Sequence, residues 1–387
     1  MQVKNCKYVF LFIIILIALF AVSNVGALDV ALDKIFDNRL QGFEHGVLIE
    51  YDGRFVSDGY VLKDGNIEKL KTQTKSITIE NGYGDRYTFD FMKFSMEDKV
   101  VSVKPTVEGG SHNLIVGENI IVFTDQAETG LWVADINTLD AKNIQPDKVN
   151  NLSLTDLLNK KIELEEKGEV PIGTFSWIYN PVLSPNEDTI AFISNRNGFP
   201  DNLHLTLWIT DINGNTKEVV DESDNNSVAP IMWVNNDELV YLAYNPIDEL
   251  KIVNIRTGEK KHLMMLGTEF SFNSAPAKGQ YLLYSPIKGA SLVHENYIYN
   301  VVTQKSFSLL MPEGYKNEGL HVWNEAGNKI AYYIRSSEGS RKLLVADCAT
   351  AKTVIYEPPT GTEFEHIPSW SNDTVVFSAN GKLYSTK

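Results

Sequence analysis

Cysteine is almost absent from this chain of 387 residues. Cys6 and Cys348 are the two, and the first sits in a segment read below as removed, so no intrachain disulfide framework is available. A basic block is missing as well. Lys and Arg number 35 against 50 Asp and Glu, giving a formal charge of −15 spread along the chain. A surface of that sign repels phosphate backbones, which argues against nucleic acid as a partner. Long apolar runs are confined to one, "VFLFIIILIALFAV" from Val9 to Val22, which at 14 residues is short for a spanning helix of roughly 17–25. No G-x-S-x-G elbow, glycine-rich phosphate loop, H-E-x-x-H or clustered Cys/His spacing occurs. A nucleophile-elbow hydrolase, a P-loop or dinucleotide enzyme and a zincin are excluded on that ground.

What is present begins with targeting. Lys4 and Lys7 precede the apolar run, and "VSNVGA" places Val25 and Ala27 at the −3 and −1 positions of a cleavage site. Residues 1–27 therefore read as a cleaved export signal, with a retained membrane anchor as the alternative. Cys6 lies before the apolar run and cannot be a lipid-modified cysteine that follows a signal. The remainder is expected to work outside the cytoplasm: secreted, periplasmic or cell-surface, and membrane-associated if the segment is kept.

The rest of the chain repeats itself. "WVADINTLDAKNI", "WITDINGNTKEVV", "KIVNIRTGEKKHL", "YIYNVVTQKSFSL" and "LVADCATAKTVIY" each alternate apolar residues, reach Asp or Asn, turn, and start a second strand-like run. The turn positions are Asp135, Asp211, Asn254, Asn300 and Asp347, spaced by 76, 43, 46 and 47 residues. Strand-like runs such as "TIAFIS", "ELVYLA" and "KIAYYI" precede the hairpins. Further upstream, Leu183, Trp233, Trp323 and Trp370 hold matching places. Period-two patterning between Gly, Asn, Asp and Pro is the strand and hairpin signature. Four short strands per unit, every ~40–50 residues, is the arithmetic of a β-propeller blade. The tryptophans then belong between blades as packing, where each would bury ~150–250 Å².

One blade is the most explicit: "LSPNEDTIAFISNRNGFPDNLHLTLWITDINGN". Its Ser-Pro, polar turn, Ile-Ala-Phe strand, Ser-x-Arg-x-Gly and strand ending in Asp resemble the TolB-like family of β-propeller repeats, a branch akin to WD-repeat propellers. The resemblance covers roughly residues 114 to 387 and is confined to the propeller. It implies a fold and marks blade turns, leaving the function open. Asp211, Asn213, Asn215 and Glu222 also imitate positions 1, 3, 5 and 12 of a calcium loop, but Thr216 stands where that loop requires Gly. A hairpin turn is the reading preferred for them.

The expected architecture is all-β, a propeller of about six blades with seven as the alternative, over residues 111–387. A helical insertion falls near 153–168, where Ser153 or Thr155 can cap, Leu157, Leu158, Ile162 and Leu164 form an apolar face, and Gly168 ends it. Residues 28–110 are β-rich and read either as a small barrel or as an extra blade, with "YVLKDGNIEKL" from Tyr60 as a hairpin. The last unit ends three strands long at Lys387, so its outer strand should come from the N-terminal side. "DKVVSVKP" from Asp98 is the expected donor.

The chain offers no catalytic or cofactor-binding residues by motif, and no cofactor is expected. Its seven histidines are scattered. His321 and His366 fall near the innermost strands of their blades and are the metal candidates, against a plainer reading as packed or solvated residues. The leading expectation is a non-catalytic exported binding scaffold for a protein, peptide or envelope component. The alternatives are an extracytoplasmic carbohydrate lyase or hydrolase with its site in the channel, as in some polysaccharide lyases with similar propellers, and a membrane-tethered sensor.

Overall fold

The computed structural model describes residues 43–51, 60–63, 66–80, 86–96, 99–105, 114–124, 130–145, 159, 162–163, 166–167, 178–196, 205–220, 227–245, 247–266, 270–288, 291–292, 296–365, 367–371 and 373–386. From residue 115 onward these strands form six consecutive antiparallel sheets, each built as a meander. Blade 1 comprises Ile115–Val116, Ile120–Thr124, Leu131–Asp135 and Ala141–Gln145. Blade 2 comprises Ile178–Leu183, Thr189–Ser194, Thr206–Asp211 and Thr216–Val220. Blade 3 runs from Ser227 to Met265, blade 4 from Phe270 to Leu309, blade 5 from Tyr315 to Tyr356 and blade 6 from Ser369 to Thr386. First strands touch between blades 1 and 2, blades 2 and 3, and blades 5 and 6, so these sheets approach one another along them. The molecule is an all-β propeller.

Period-two sequence is what lets these sheets stack. In Thr189–Ser194, Ile190 and Phe192 fill the seam with blade 1, while Ala191 and Ile193 fill the seam with blade 3. In Glu238–Asn245, Leu239, Tyr241 and Ala243 face blade 2, and Val240 and Leu242 face blade 4. Each strand thus serves two seams, and every fully buried Ile, Leu or Phe contributes about 1.5–3 kcal/mol. The tryptophans lock the stack. The Trp233 indole N–H donates to Val182 O at 2.9 Å, Trp323 to Ser274 Oγ at 2.7 Å and Trp370 to Val322 O at 2.9 Å. In every case the acceptor lies on the first strand of the preceding blade. Trp233 is fully buried, and Trp323 and Trp370 are half-buried.

The repeated Asp/Asn has an equally local cause. Oδ1 of Asp135, Asn254, Asn300 and Asp347 accepts the backbone N–H groups two and three residues on, at 2.8–3.0 Å. Asp211 Oδ1 accepts from Asn213 and Asn215, and its Oδ2 from the Asn215 amide. The calcium-like oxygens of Asp211 are therefore spent inside its own hairpin turn; Glu222 lies outside the described residues.

Residues 71–105 form a three-stranded antiparallel sheet, Lys71–Glu80, Arg86–Met96 and Lys99–Pro105. Ile77, Ile79, Phe89 and Phe91 pack against Phe123, Trp132 and Ile136 of blade 1, the way one blade packs on the next. Tyr60–Lys63 and Asn66–Lys69 pair as a hairpin. Asn159, Ile162, Glu163 and Glu166 are helical, with Lys167 N–H on Glu163 O, and Ile162 is exposed. Leu157, Leu158 and Leu164 lie outside the described residues, as does the apolar run of residues 9–22.

An N-terminal strand does complete the last blade, but its donor differs from the expectation. Leu48–Tyr51 pairs antiparallel with Lys382–Thr386, whereas Lys99–Pro105 pairs with Arg86–Met96. Both segments are short strand-like runs of apolar and polar residues, and their tertiary pairing, which composition does not encode, separates them. Phe43–His45 adds a further strand, parallel to Lys352–Tyr356, on the edge of blade 5.

Candidate functional site

The first strand of blade 5 is interrupted. Tyr315–Asn317 and Val322–Trp323 both pair with Lys329–Ser336, with Asn317 opposite Ile334 and Val322 opposite Ala331. Four residues, Glu318 to His321, therefore stand against two, Tyr332 and Tyr333. The surplus is absorbed by two left-handed residues, Gly319 at φ 86° and Leu320 at φ 56°. A left-handed leucine costs about 1–2 kcal/mol, and its side chain is 60% exposed, so burial does not offset the strain.

The surroundings enforce this conformation. Glu318 N–H donates to Tyr333 O, and Gly319 N–H to Asn317 Oδ1 at 2.7 Å. The Glu318 carboxylate accepts Arg335 Nε at 3.0 Å, Arg335 Nη2 at 2.7 Å and Arg341 Nε at 2.7 Å. Arg341 in turn lies over the Tyr333 ring and donates to Phe364 O at 2.9 Å, tying the bulge to the approach of blade 6. The Arg341 hydrogen bond, seconded by Arg335, outweighs burial and holds the Glu318 carboxyl below the usual carboxylate range.

Behind the bulge runs a polar seam between blades 4 and 5. Asn273 Nδ2 donates to Ser285 Oγ at 2.8 Å, and Asn296 Nδ2 to Tyr332 OH at 3.0 Å. His321 Nε2 lies 2.8 Å from Asn317 Nδ2 and 3.1 Å from its Oδ1, which also accepts Gly319 N–H. The His321 ring meets Tyr332 edge to face at 4.9 Å, and burial pushes its pKa down to about 4. At neutral pH this seam is an uncharged amide, hydroxyl and imidazole cluster, with the Glu318–arginine ion pairs and the exposed Leu320 beside it.

Of the two metal candidates, His321 belongs to this seam, with Nε2 on Asn317; His366 lies outside the described residues. Among the described residues no three His, Cys, Asp or Glu side chains gather as a metal cluster. Sequence reasoning placed His321 near an innermost strand but missed Asn273, Asn296, Asn317, Glu318 and Leu320. The one local signal was Glu-Gly-Leu inside a strand-like run, where Gly marks a bulge.

No family model matches the chain, and no curated protein matches it. Among solved structures it is similar to TolB from Acinetobacter baumannii, at 14% identity over 82% of this chain and 79% of that one, with a TM-score of 0.40. It is also similar to a puromycin-hydrolyzing peptidase from Mycobacterium tuberculosis, at 12% identity over 88% of this chain, with a TM-score of 0.48, and spans about half (53%) of that chain. An oligogalacturonate lyase in complex with manganese is similar at 10% identity over 89% and 98% of the two chains, with a TM-score of 0.45. TolB, a peptidase and a lyase thus stand side by side, and likenesses with TM-scores under 0.5 do not choose among them.

Proposed function

We propose that this protein is a non-catalytic, exported β-propeller that binds a protein or peptide partner through the inner wall of blades 4 and 5. The observation that carries the reading is Leu320, left-handed and exposed on a bulge braced from both sides by the Glu318–arginine and Asn317–His321 contacts. Strain persists where its surroundings over-determine it, and such places cluster at ligand clamps. A preorganised contact loses little entropy on association. Export is supported by Lys4, Lys7 and the apolar run before Ala27.

The test is affinity capture from the source's cell envelope with the wild-type chain and Leu320→Asp, circular dichroism confirming that both fold. The partner recovered by wild type should be lost, by about tenfold or more, with the aspartate in place. An identical set of captured proteins from both would refute the binding surface. Turnover of a polysaccharide by the purified wild type would replace the scaffold with the lyase or hydrolase reading.

A further inference from the structure

In blades 1, 3, 4 and 5 the residue after the turn Asp or Asn faces the preceding sheet, whereas Ile212 of blade 2 is exposed. Ile136, Ile255 and Val301 plug their seams in this way. In the seam between blades 4 and 5 the plug is Cys348, smaller than any of these. A second plug is reduced too. Four residues after the turn Asp, blade 1 places Leu139 at φ 62° and blade 5 places Ala351 at φ 59°. With both plugs undersized, a cavity of about 210 Å³ opens beside them.

The lining has two characters. Phe307, Ala349, Ala351 and Cys348 make an apolar wall, and burial pushes the Cys348 thiol up so that it stays neutral. Lys305, Thr303 and Asn300 bring donors, and Tyr281, whose hydroxyl accepts from Gln280, completes the lining. Asn300 Oδ1 already accepts Val302 and Thr303 N–H, which leaves its amide hydrogens to give. No carboxylate lines the cavity; the nearby Asp347, whose charge also raises the Cys348 thiol, turns its Oδ1 to the N–H groups of Ala349 and Thr350. A rim with one ammonium group, neutral hydroxyls and amides and no carboxylate favours an anion locally, although the chain as a whole carries −15. The volume lies below the ~300–1,000 Å³ of drug-sized sites.

We infer that this seam cavity binds a small organic carboxylate with a compact aromatic body. The carboxylate would meet Lys305 and Thr303, and the ring would enter between Phe307 and Ala351. The site is separate from the blade 5 bulge and does not depend on a macromolecular partner.

The experiment is saturation-transfer NMR and calorimetry on the purified full chain, with benzoate as probe and benzamide as its neutral counterpart. Benzoate should bind in the millimolar range, and benzamide about tenfold more weakly. Ala351→Leu, which copies blade 1, and Lys305→Met should each weaken benzoate about tenfold with the thermal midpoint held or raised. Cys348→Ile fills the same space should Ala351→Leu fail to fold. Absence of saturation transfer, equal binding of benzamide, or unchanged benzoate affinity in a folded, cavity-filled variant would each overturn the assignment.

Discussion

His321 and Glu318 flank the strained leucine, and both make the protein weaker in acid. The folded pKa of His321, about 4, lies below its unfolded value of 6.5. The unfolded chain therefore binds more protons in between, and stability falls as pH drops through that interval, by up to roughly 3 kcal/mol. Glu318 adds a contribution of the same sign, present above its unfolded value of 4.5 and lost as pH falls through its lowered folded pKa. Urea unfolding between pH 7 and 4.5 should show the decline, and His321→Asn should flatten most of it; an equally steep decline in the variant would mean that the imidazole is not held neutral. Backbone strain gives a second expectation. Gln304 is exposed at φ 56°, so Gln304→Gly should raise stability by about 0.5–1 kcal/mol. Leu320→Gly should gain about as much while losing partner capture, because there the strain is coupled to the presented side chain.

Hairpin turns and indole bonds make each blade a repeated unit with stated energetics. Asp347→Ala removes acceptors for Ala349 and Thr350 and should cost about 1–2 kcal/mol, read as a shift in the urea midpoint. Trp233→Phe is more severe: it removes the buried donor to Val182 O and leaves a gap in a fully buried seam, for about 2–3 kcal/mol. A Trp370→Phe change at its half-buried counterpart should cost less. These same features explain what could be read from the residues alone. A turn that needs an oxygen at one position and a left-handed residue near the next strand writes itself into the sequence as Asp or Asn at a fixed period. Alternation writes the two seams served by every strand. The bulge left almost no trace, because Asn273, Asn296 and Asn317 come from separate strands, and Asn317 reaches the other two only when blades 4 and 5 stack. Asn273 and Asn296 meet inside blade 4, and only Asn317 joins them across the seam; single asparagines amid strands carry no spacing, and their shared role exists only in three dimensions.

The molecule is closed by its own N-terminal region, and that dependence can be broken at one residue. Phe43–His45 lies on blade 5 and Leu48–Tyr51 on blade 6, so the chain crosses the seam between them at Gly46. A Cβ at Gly46 would fall inside the Tyr356 ring, which is itself buried. The exposed ion pair of Glu44 with Lys352, at 2.8 Å, lies on the same crossing but is solvated and is worth at most about 1 kcal/mol. Backbone pairing and passage over Tyr356 should therefore hold the clasp, and charge should not. Gly46→Val is expected to unseat Leu48–Tyr51, expose the edge of Lys382–Thr386 and lower the thermal midpoint, with amide exchange rising first at Leu383 to Thr386. Lys352→Ala should leave stability within about 0.5 kcal/mol of wild type. If the valine variant kept full exchange protection at Leu383 to Thr386, blade 6 would have to hold together on three strands, and the N-terminal strand would be an ornament on a ring closed by other contacts.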